Sequence, residues 1–397
     1  LPAMIQRFET ILADHPDPQQ TGRLAGEIHA VRSVFLFYSG DLENSVSQAR
    51  LALDRIPPEL WTVRNLARLH LGAGLLMLGD EVASLQALYK AFEVEQVQTE
   101  RFKAHILISV CQIYWVAADL QRMHQTAEQA LSLCQELEFQ QILGHTQRLN
   151  GYVQYQRGNL SAAEEFFGRV VSRPYQNFGG CYANCVCGLS MTYQAQGKEV
   201  EARQVVEQAI AFLLKAGNTT QLPLIRALQA EIALQQGDLP AASQWAEKHD
   251  LLLPMVPLHR FLEPYLTLAK IWLAQNTRAS QEKAGELLTR LHTYLTETHN
   301  TRFLIDTLAL QALLADANGD QEAALNLLES SLKMAQPGGF IRVFVDLGPQ
   351  MAALLSRMKP DPRWSEYIAQ ILAVFPAQQL PTEAQSVERP SVSHHLV

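Results

Sequence analysis

Residues 72–91 read GAGLLMLGDEVASLQALYKA. In the middle of this stretch the triplet LGD at 78–80 joins two apolar segments. A glycine in such a triplet ends one helix in the left-handed conformation, and an aspartate caps the next. Small residues flank the turn at fixed distances: Gly72 lies seven positions before the glycine, and Ser84 and Ala91 lie five and twelve positions after it. Because small side chains let two antiparallel helices approach closely, this stretch predicts a helical hairpin.

The same hairpin pattern recurs along most of the chain. Its clear turns are centred at positions 40, 79, 118, 158, 197, 237 and 319, with spacings of 39, 39, 40, 39, 40 and 82 residues. The last spacing is two periods, so an eighth turn is expected near Ala279. A small residue stands seven positions before each clear turn: Ser33, Gly72, Cys111, Gly151, Ser190, Ala230 and Ala312. Such a period predicts hairpins that bury their apolar faces by stacking on one another.

This pattern resembles the tetratricopeptide repeat, in which a small residue, a turn glycine and two alanines recur at the same offsets. The resemblance extends from Glu27 to about Met334, in eight units of about 40 residues, where the family norm is about 34. The seventh unit, Tyr265 to Leu295, departs most from the pattern. The glycine–acid turn and the fixed small residues favour this class over a HEAT-like solenoid. The predicted fold is all-α, a tetratricopeptide-like helical-hairpin solenoid (superhelix) of about eight repeats.

The chain after the last repeat has no such period. Residues 335–358 read AQPGGFIRVFVDLGPQMAALLSRM. The glycine pair at 338–339 stops a helix, and the alternation of residues 340–346 predicts a β-strand. The Gly-Pro pair at 348–349 begins a short helix, and residues 364–375 predict another.

This ending looks like the end of the repeat array in the large ATP-binding LuxR-type transcription regulators similar to MalT. In that family the array commonly ends in a segment like residues 339–346, GFIRVFVD (the signature segment), followed by Met351 and Leu354-Leu355. The family carries an N-terminal nucleotide-binding module and a C-terminal helix-turn-helix. No G-x-x-x-x-G-K-[ST] loop occurs in this sequence. The resemblance therefore implies the middle of such a regulator, with no cofactor of its own, ATP in a module outside this chain, and DNA contact through another.

These patterns divide the chain into four predicted parts. Residues 1–26 form an N-terminal helix or cap, and residues 27–336 form the repeat solenoid. Residues 337–375 form a capping segment with short helices. Residues 376–397 are polar, proline-containing and aperiodic, which predicts a flexible linker to a missing DNA-binding domain.

Composition narrows the expected partners. The 397 residues include 32 Lys+Arg and 40 Asp+Glu, a net charge of −8, without a dense basic run, so we expect no direct contact with nucleic acid. The longest apolar stretches fall far short of the ~20 residues of a membrane helix, and the first residues lack the features of a secretory signal. Five cysteines, an odd number without disulfide spacing, favour a reducing cytoplasm.

No constellation in the sequence predicts catalysis or a metal site. Cys181, Cys185 and Cys187 form C-x3-C-x-C, but no second pair or nearby histidine completes a zinc set, so packing in the fifth hairpin is the favoured interpretation. The pair His394-His395 is weak evidence for a metal ligand. Neither H-E-x-x-H nor G-x-S-x-G occurs. We expect no enzymatic activity.

The concave groove is the predicted binding surface, because tetratricopeptide solenoids line it with the first helix of each hairpin. Aromatic faces with amides and an arginine between them suit a polar, uncharged ligand such as a sugar, or a peptide. The alternative is that these side chains pack against the neighbouring hairpin or are merely solvated. The inward-facing residues expected to bind a ligand are Gln112, Trp115, His145, Arg148, Tyr152, Gln156, Asn184 and Gln194.

Two functions follow from this interpretation. In the first, a small effector or a partner binds in the groove of repeats three to six, shifts the curvature of the array, and so signals to the flanking modules. In the second, the array is a scaffold for a peptide or protein partner with no small-molecule effector. Apolar groove positions in repeat two suit such a surface: Leu66, Leu69, Ala73, Leu76 and Met77. Homo-oligomerisation of the full-length protein is left open.

Overall fold

The computed structural model describes residues 7, 10, 18–94, 100–177, 179–248 and 260–376. Within these ranges the chain forms nineteen α-helices and no β-strand. Sixteen of the helices are arranged as eight consecutive antiparallel hairpins, which confirms the predicted all-α solenoid. The predicted linker beyond residue 376, His394-His395 and most of the predicted N-terminal cap lie outside the described residues.

Each hairpin consists of a first helix and a second helix joined by a tight turn. Three shorter helices follow the eighth hairpin: α17 Arg342–Val345, α18 Pro349–Ser356 and α19 Ser365–Val374. The predicted helices after Gly348 and after Trp364 are therefore confirmed. The hairpins are α1 Pro18–Tyr38 with α2 Leu42–Arg55, α3 Trp61–Met77 with α4 Glu81–Val94, α5 Glu100–Val116 with α6 Leu120–Glu136, α7 Gln140–Gln156 with α8 Leu160–Val171, α9 Gly179–Ala195 with α10 Glu199–Lys215, α11 Leu222–Gln235 with α12 Leu239–Ala246, α13 Pro264–Gln275 with α14 Arg278–Glu297, and α15 Thr301–Ala317 with α16 Gln321–Ala335.

The seven predicted turns each contain one residue in the left-handed conformation, as the repeat pattern requires. Six are glycines with φ between 76° and 91°, and Ala118 in the weaker third turn has φ 60°. Acidic caps follow several of them: Asp41, Asp119, Asp238 and Asp320 each accept a hydrogen bond from a backbone N–H three residues later. The turn residues thus end one helix and begin the next.

The seventh hairpin turns earlier than the sequence predicted. Its turn lies at Asn276, with φ 49°, not near Ala279. The link has only two residues, and Thr277 caps α14 through a reciprocal hydrogen-bonded pair with Ser280. Asparagine adopts the left-handed conformation more readily than most residues, so this turn needs neither the glycine nor the acid that identified the others.

The small residues at fixed offsets are the points of closest approach inside the hairpins. In the first hairpin, the Ser45 hydroxyl donates to the Ser33 carbonyl at 2.7 Å. This hydrogen bond joins α1 to α2. In the fourth hairpin, a Cβ atom on Gly151 would lie 2.5 Å from the Phe167 ring. A larger residue at such a position would push the two helices apart.

The signature segment is helical, so the predicted β-strand over residues 340–346 is wrong. Gly339 has φ 71° and ends the preceding turn, and residues 342–345 form α17. Residues 340–345 are all buried, whether hydrophobic or charged. The alternation of residue types therefore did not mark one buried and one exposed face. The helical turn satisfies the backbone N–H groups of Phe344, Val345 and Asp346 within the segment itself.

The array curves until its eighth hairpin reaches its third. Helix α15 packs against α5, and the Arg302 guanidinium lies 4.9 Å from the centre of the Trp115 ring. Near this contact His299 packs on the second turn, with its Nε2 2.7 Å from where a Cβ of Gly79 would lie. The inner side of the array is therefore an enclosed core in this region.

This curvature corrects the expectation of an apolar surface in repeat two. Ala73, Leu76 and Met77 are buried in the main hydrophobic core together with Phe37. Only Leu66 of the five predicted positions is exposed. The apolar side chains there stabilise the fold, and they do not form one open patch.

Candidate functional site

The eight residues predicted to bind a ligand lie on α5, α7 and α9, the first helices of hairpins three to five. His145 and Gln194 are half-buried. The other six are buried, because other parts of the same chain lie over them. Their role in ligand binding stays a prediction, and what covers each one defines the candidate site.

Trp115, Arg148 and Tyr152 form one contiguous cluster. The ring centres of Trp115 and Tyr152 are 4.8 Å apart. One Arg148 nitrogen donates to the Tyr152 hydroxyl at 3.1 Å, and the guanidinium lies 5.2 Å from the centre of the same ring. Burial raises the pKa of Tyr152 above its usual range, against the opposing charge of Arg148. The phenol is therefore neutral at physiological pH.

His145 lies one helical turn before this cluster. Burial is the main cause that lowers its pKa to about 3, and the charges of Arg148 and the neighbouring His105 contribute to the same shift. Its Nδ1 has no hydrogen-bond partner among the described residues. His145 is therefore a neutral imidazole that does not titrate near pH 7.

Asn184 and Gln194 on α9 contact other hairpins. The Asn184 Oδ1 accepts the backbone N–H of Phe261 at 2.8 Å, a residue from the link that precedes α13. Gln194 accepts a hydrogen bond from Gln236 at 2.6 Å, which joins the fifth and sixth hairpins at their turns. Asn184 thus lies in the interior of the array, and Gln194 lies at the edge of that interior. The structure does not bring these two predicted ligand residues into one pocket.

The signature segment lies directly against hairpin four. The Ile341 N–H donates to the backbone carbonyl of Gln156 at 2.7 Å. The Tyr155 hydroxyl donates to Asp346 Oδ2 at 2.7 Å, and Arg342 forms an ion pair with the same carboxylate. The end of the array therefore makes side-chain and backbone hydrogen bonds to the helix that carries four of the predicted ligand residues.

A buried set of charges continues from this contact into hairpins six to eight. The Glu231 carboxylate accepts hydrogen bonds from Lys270 at 2.8 Å, from Thr267 at 2.8 Å and from Gln235 at 3.0 Å. Burial alone would raise the pKa of Glu231, but Lys270 and these hydrogen bonds outweigh it and lower the pKa. Charges buried in this way need partners to remain ionised.

A cavity of about 50 Å³ lies where these elements meet. It is lined by residues of hairpins four and five, the last residues before α13, helices α13 and α15, and the signature segment. Three polar atoms in its lining side chains have no hydrogen-bond partner among the described residues: Gln156 Oε1, Glu263 Oε2 and Arg302 Nε. Such a space holds a few waters or a small polar group. We call it the central cavity.

Sequence reasoning named only part of this site. Repeat spacing places Trp115, Tyr152 and Gln156 on the correct helices. Phe261 and Arg302 were not found, because their contacts with hairpins three to five depend on how far the array curves. The signature segment was noticed for its resemblance, but its partner residue Tyr155 is not apparent from the sequence.

The cysteines are buried inside the hairpins. Burial raises the pKa of Cys187 to about 12 and that of Cys185 well above its usual range, so both thiols are protonated and are poor metal ligands. Across the ranges that the structure describes, no group of three or more His, Cys, Asp or Glu side chains is placed to hold a metal ion. None of the described helices combines the length and apolar character needed to cross a bilayer.

Comparison with known proteins identifies the repeat class. A structural comparison aligns 92% of this chain with 99% of the chain in "Crystal Structure of P58(IPK) TPR Domain at 2.5 A", at 12% identity and a TM-score of 0.22, too low a similarity to support any argument. The family profile described as the MalT-like TPR region matches residues 26–361. That match includes all eight hairpins from the middle of α1 onward and the whole signature segment. The chain therefore belongs to the family of MalT-like tetratricopeptide-repeat regions.

Proposed function

We propose that this chain is the effector-sensing and signal-coupling repeat domain of a LuxR/MalT-like transcription regulator. The family match supports the repeat domain. The regulator context rests on the resemblance of the signature segment and of the polar sequence that follows it. In this proposal residues 27–336 sense the effector, residues 337–375 transmit its presence, and residues 376–397 lead to a DNA-binding domain. Residues 1–26 would join the array to an ATP-binding module.

The observation that carries the proposal is the contact between hairpin four and the signature segment. Tyr155 lines the central cavity and hydrogen-bonds to Asp346 at 2.7 Å. Gln156, its neighbour, turns an unpartnered side-chain oxygen to the cavity while its backbone carbonyl binds Ile341. A ligand that enters here would touch the sensing helix and the output segment at once.

Such an arrangement couples binding to a change of state by differential affinity. The central cavity, at about 50 Å³, is too small for an effector of metabolite size. A ligand must therefore bind a more open form of the array better than the closed form described here. It would shift the population toward that form, and the signature segment would move with it.

A thermal-unfolding screen of this chain against metabolites and short peptides tests the proposal. A ligand at a hundred times its dissociation constant stabilises the form that binds it by about 2.7 kcal/mol, a rise of several degrees in the melting temperature. We expect Gln156→Met to abolish the shift, because methionine keeps the volume but cannot accept a hydrogen bond. Gln275→Met is the matched control, since Gln275 bonds to Ser243 away from the cavity.

A screen in which no compound class shifts the melting temperature would favour the scaffold function. One observation supports that second candidate: Val31, Phe35 and Tyr38 are exposed along one side of α1, at the start of the described array. Residues at spacings of four and three share a helix face. An exposed apolar face of this kind suits a protein neighbour.

A further inference from the structure

The link between α12 and α13 is unlike the other connections in the array. Seventeen residues separate the described end of α12 from the start of α13, while two to seven separate the other successive helices of the eight hairpins. The last four residues of the link, Arg260 to Glu263, are described: Arg260 is half-buried, and the other three lie inside the array. Phe261 and Glu263 are only 6% and 3% exposed. A link confined to the surface would not need to enter the core.

The Phe261 ring packs against three aromatic rings of hairpin four. Its ring centre lies 5.2 Å from that of Tyr152, 5.0 Å from Tyr155 and 5.6 Å from Phe167. These three rings are here called the aromatic box. The tilted and edge-on angles of these contacts are those that aromatic pairs prefer. The box therefore recognises a planar ring by its faces and edges.

A directed polar contact accompanies the ring. The backbone N–H of Phe261 donates to Asn184 Oδ1 at 2.8 Å. The other half of the same amide, Nδ2, donates to the Gly180 carbonyl at 2.8 Å. This second bond fixes the orientation of the amide, so its oxygen is held ready to accept a donor next to the ring.

The pocket has room and unused hydrogen-bonding capacity beside its occupant. The central cavity adjoins Phe261 and is lined by Tyr155 of the box. Gln156 is 3% exposed, yet its Oε1 has no hydrogen-bond partner among the described residues. The Nε of the equally buried Arg302 also has no hydrogen-bond partner among them. These atoms are independent evidence that the space beside Phe261 is built to receive polar groups.

We propose that the aromatic box is a ligand site that Phe261 keeps closed, and that its external ligand is an aromatic ring with an adjacent N–H or O–H donor. The ring takes the place of Phe261, and the donor takes the place of its backbone N–H at Asn184. The inference rests on the proposed function, for which it names the chemistry of the ligand and the element that competes with it.

Displacement of Phe261 also provides a route to the output segment. Tyr155 contacts Phe261 on one side, while its ring lies 5.6 Å from the Arg342 guanidinium and its hydroxyl bonds to Asp346. A ligand that extends beyond the position of the Phe261 ring into the central cavity displaces Tyr155, because Tyr155 contacts Phe261 and lines that cavity. The hydrogen bond to the signature segment then breaks or shifts with it.

The test measures binding of the peptide N-acetyl-Arg-Phe-Leu-Glu-amide, which copies residues 260–263, to this chain and to Phe261→Ala by calorimetry. We expect Phe261→Ala to bind it at least tenfold more tightly than the unaltered chain, in which the internal phenylalanine must first leave. Methylation of the phenylalanine nitrogen of the peptide should weaken binding to Phe261→Ala about fivefold. In Phe261→Ala combined with Asn184→Ala, the methylated and unmethylated peptides should bind alike.

Phe102→Ala is the matched control, because Phe102 is equally buried but lies on α5 outside the box. Equal peptide binding by the two alanine variants would mean unspecific filling of a cavity and would overturn the proposal. So would the absence of tighter binding in Phe261→Ala that retains its helical circular dichroism. If that variant does not fold, Phe261→Leu replaces it, and binding no tighter than that of the unaltered chain overturns the proposal.

Further measurements distinguish a small-molecule ligand from a peptide ligand. They also distinguish failure of this inference from failure of the proposed function. If N-acetylphenylalaninamide binds as well as the tetrapeptide, the ring and its amide suffice and a small molecule is the ligand. If only the tetrapeptide binds, the ligand is an extended peptide. A metabolite that stabilises the unaltered chain without competing with the peptide would contradict this inference and leave the proposed function intact.

Discussion

Glu263 is a carboxyl group placed where its charge is poorly compensated. One of its oxygens accepts the Tyr265 N–H at 3.4 Å, and Arg260 lies 3.7 Å from the other. Burial raises the pKa of Glu263 to about 7, and the charge of Arg260 only partly opposes this. The folded chain therefore keeps a proton that the unfolded chain releases near its ordinary pKa of 4.5.

This proton makes the stability depend on pH in a defined direction. A raised carboxyl pKa contributes stability that is complete below about pH 4.5 and is lost as pH rises through about 7. Between pH 5 and pH 8, the unfolding free energy should therefore fall by roughly 2 to 3 kcal/mol more in the unaltered chain than in Glu263→Gln. Urea unfolding at both pH values measures this. Parallel pH profiles for the two proteins would show that Glu263 titrates normally.

The control for this measurement is Glu282→Gln. Glu282 is a surface residue, 66% exposed, that pairs with Arg278 on the outside of α14. Its replacement should leave the pH profile of the unaltered chain unchanged, because solvent screens an exposed pair.

At the scale of single residues, the sequence predicted which helix carries a residue better than which residues surround it. Spacing from the turns identified Trp115 and Tyr152 as residues of the first helices. It could not reveal that Phe261 and Arg302 lie against them, since those residues are more than a hundred positions away in the chain. Because these distant residues cover Trp115 and Tyr152, the groove that the sequence predicted to be open is closed here.

At the scale of elements, the signature segment shows why local pattern alone misassigned a structure. Alternation of Phe340, Arg342, Phe344 and Asp346 suggested a strand, but the residues between them are buried too. The polar members of the series, buried Arg342 and half-buried Asp346, are accommodated because they pair with each other and with Tyr155. Repeat turns were predictable because each depends on a few adjacent residues, whereas this segment depends on a helix almost two hundred residues away.

The Tyr155–Asp346 hydrogen bond should hold the signature segment in place. Tyr155→Phe keeps the ring against Phe261 but removes the donor, and loss of a hydrogen bond to a charged group costs about 2 kcal/mol. Backbone amides of Phe344 and Val345 should then exchange with deuterium faster, while those of α3 stay protected. Tyr175→Phe, at an exposed tyrosine, serves as the control. Unchanged exchange in α17 would mean that packing alone holds the segment.

At the scale of the whole molecule, the contact between hairpins eight and three alters the energetics expected of a repeat protein. In an open solenoid each repeat contacts only its neighbours, and stability is a sum of local terms. Here Arg302 lies over Trp115, five hairpins away, and forms an ion pair with Asp306. The array is thus closed by a long-range contact, and the hairpins between its two ends are stabilised together.

Removing the contact between hairpins eight and three should split the single unfolding transition into two. Arg302→Met leaves the half-buried Asp306 without its ion-pair partner and with Lys270 as the nearby cation, and we expect a cost of about 2 kcal/mol. We expect one cooperative urea transition in the unaltered chain and two in the variant, followed by circular dichroism and tryptophan fluorescence. Arg278→Met is the matched control: Arg278 also pairs with an acid four residues later, but it is 94% exposed. A single transition in Arg302→Met would show that nearest-neighbour stacking suffices for cooperativity.

The long-range contacts also have a consequence for the time the protein takes to be made. Asp346 follows Tyr155 by 191 positions, which a ribosome adding about 5 to 20 residues per second covers in about 10 to 40 s. For more than half of that interval hairpins three and four lack Phe261 and Arg302, and for all of it they lack the complete signature segment. Their aromatic faces are then open to other nascent chains, and exposed apolar surface of this kind promotes aggregation. Hairpins three and four therefore complete their cores only when the last part of the array has been made.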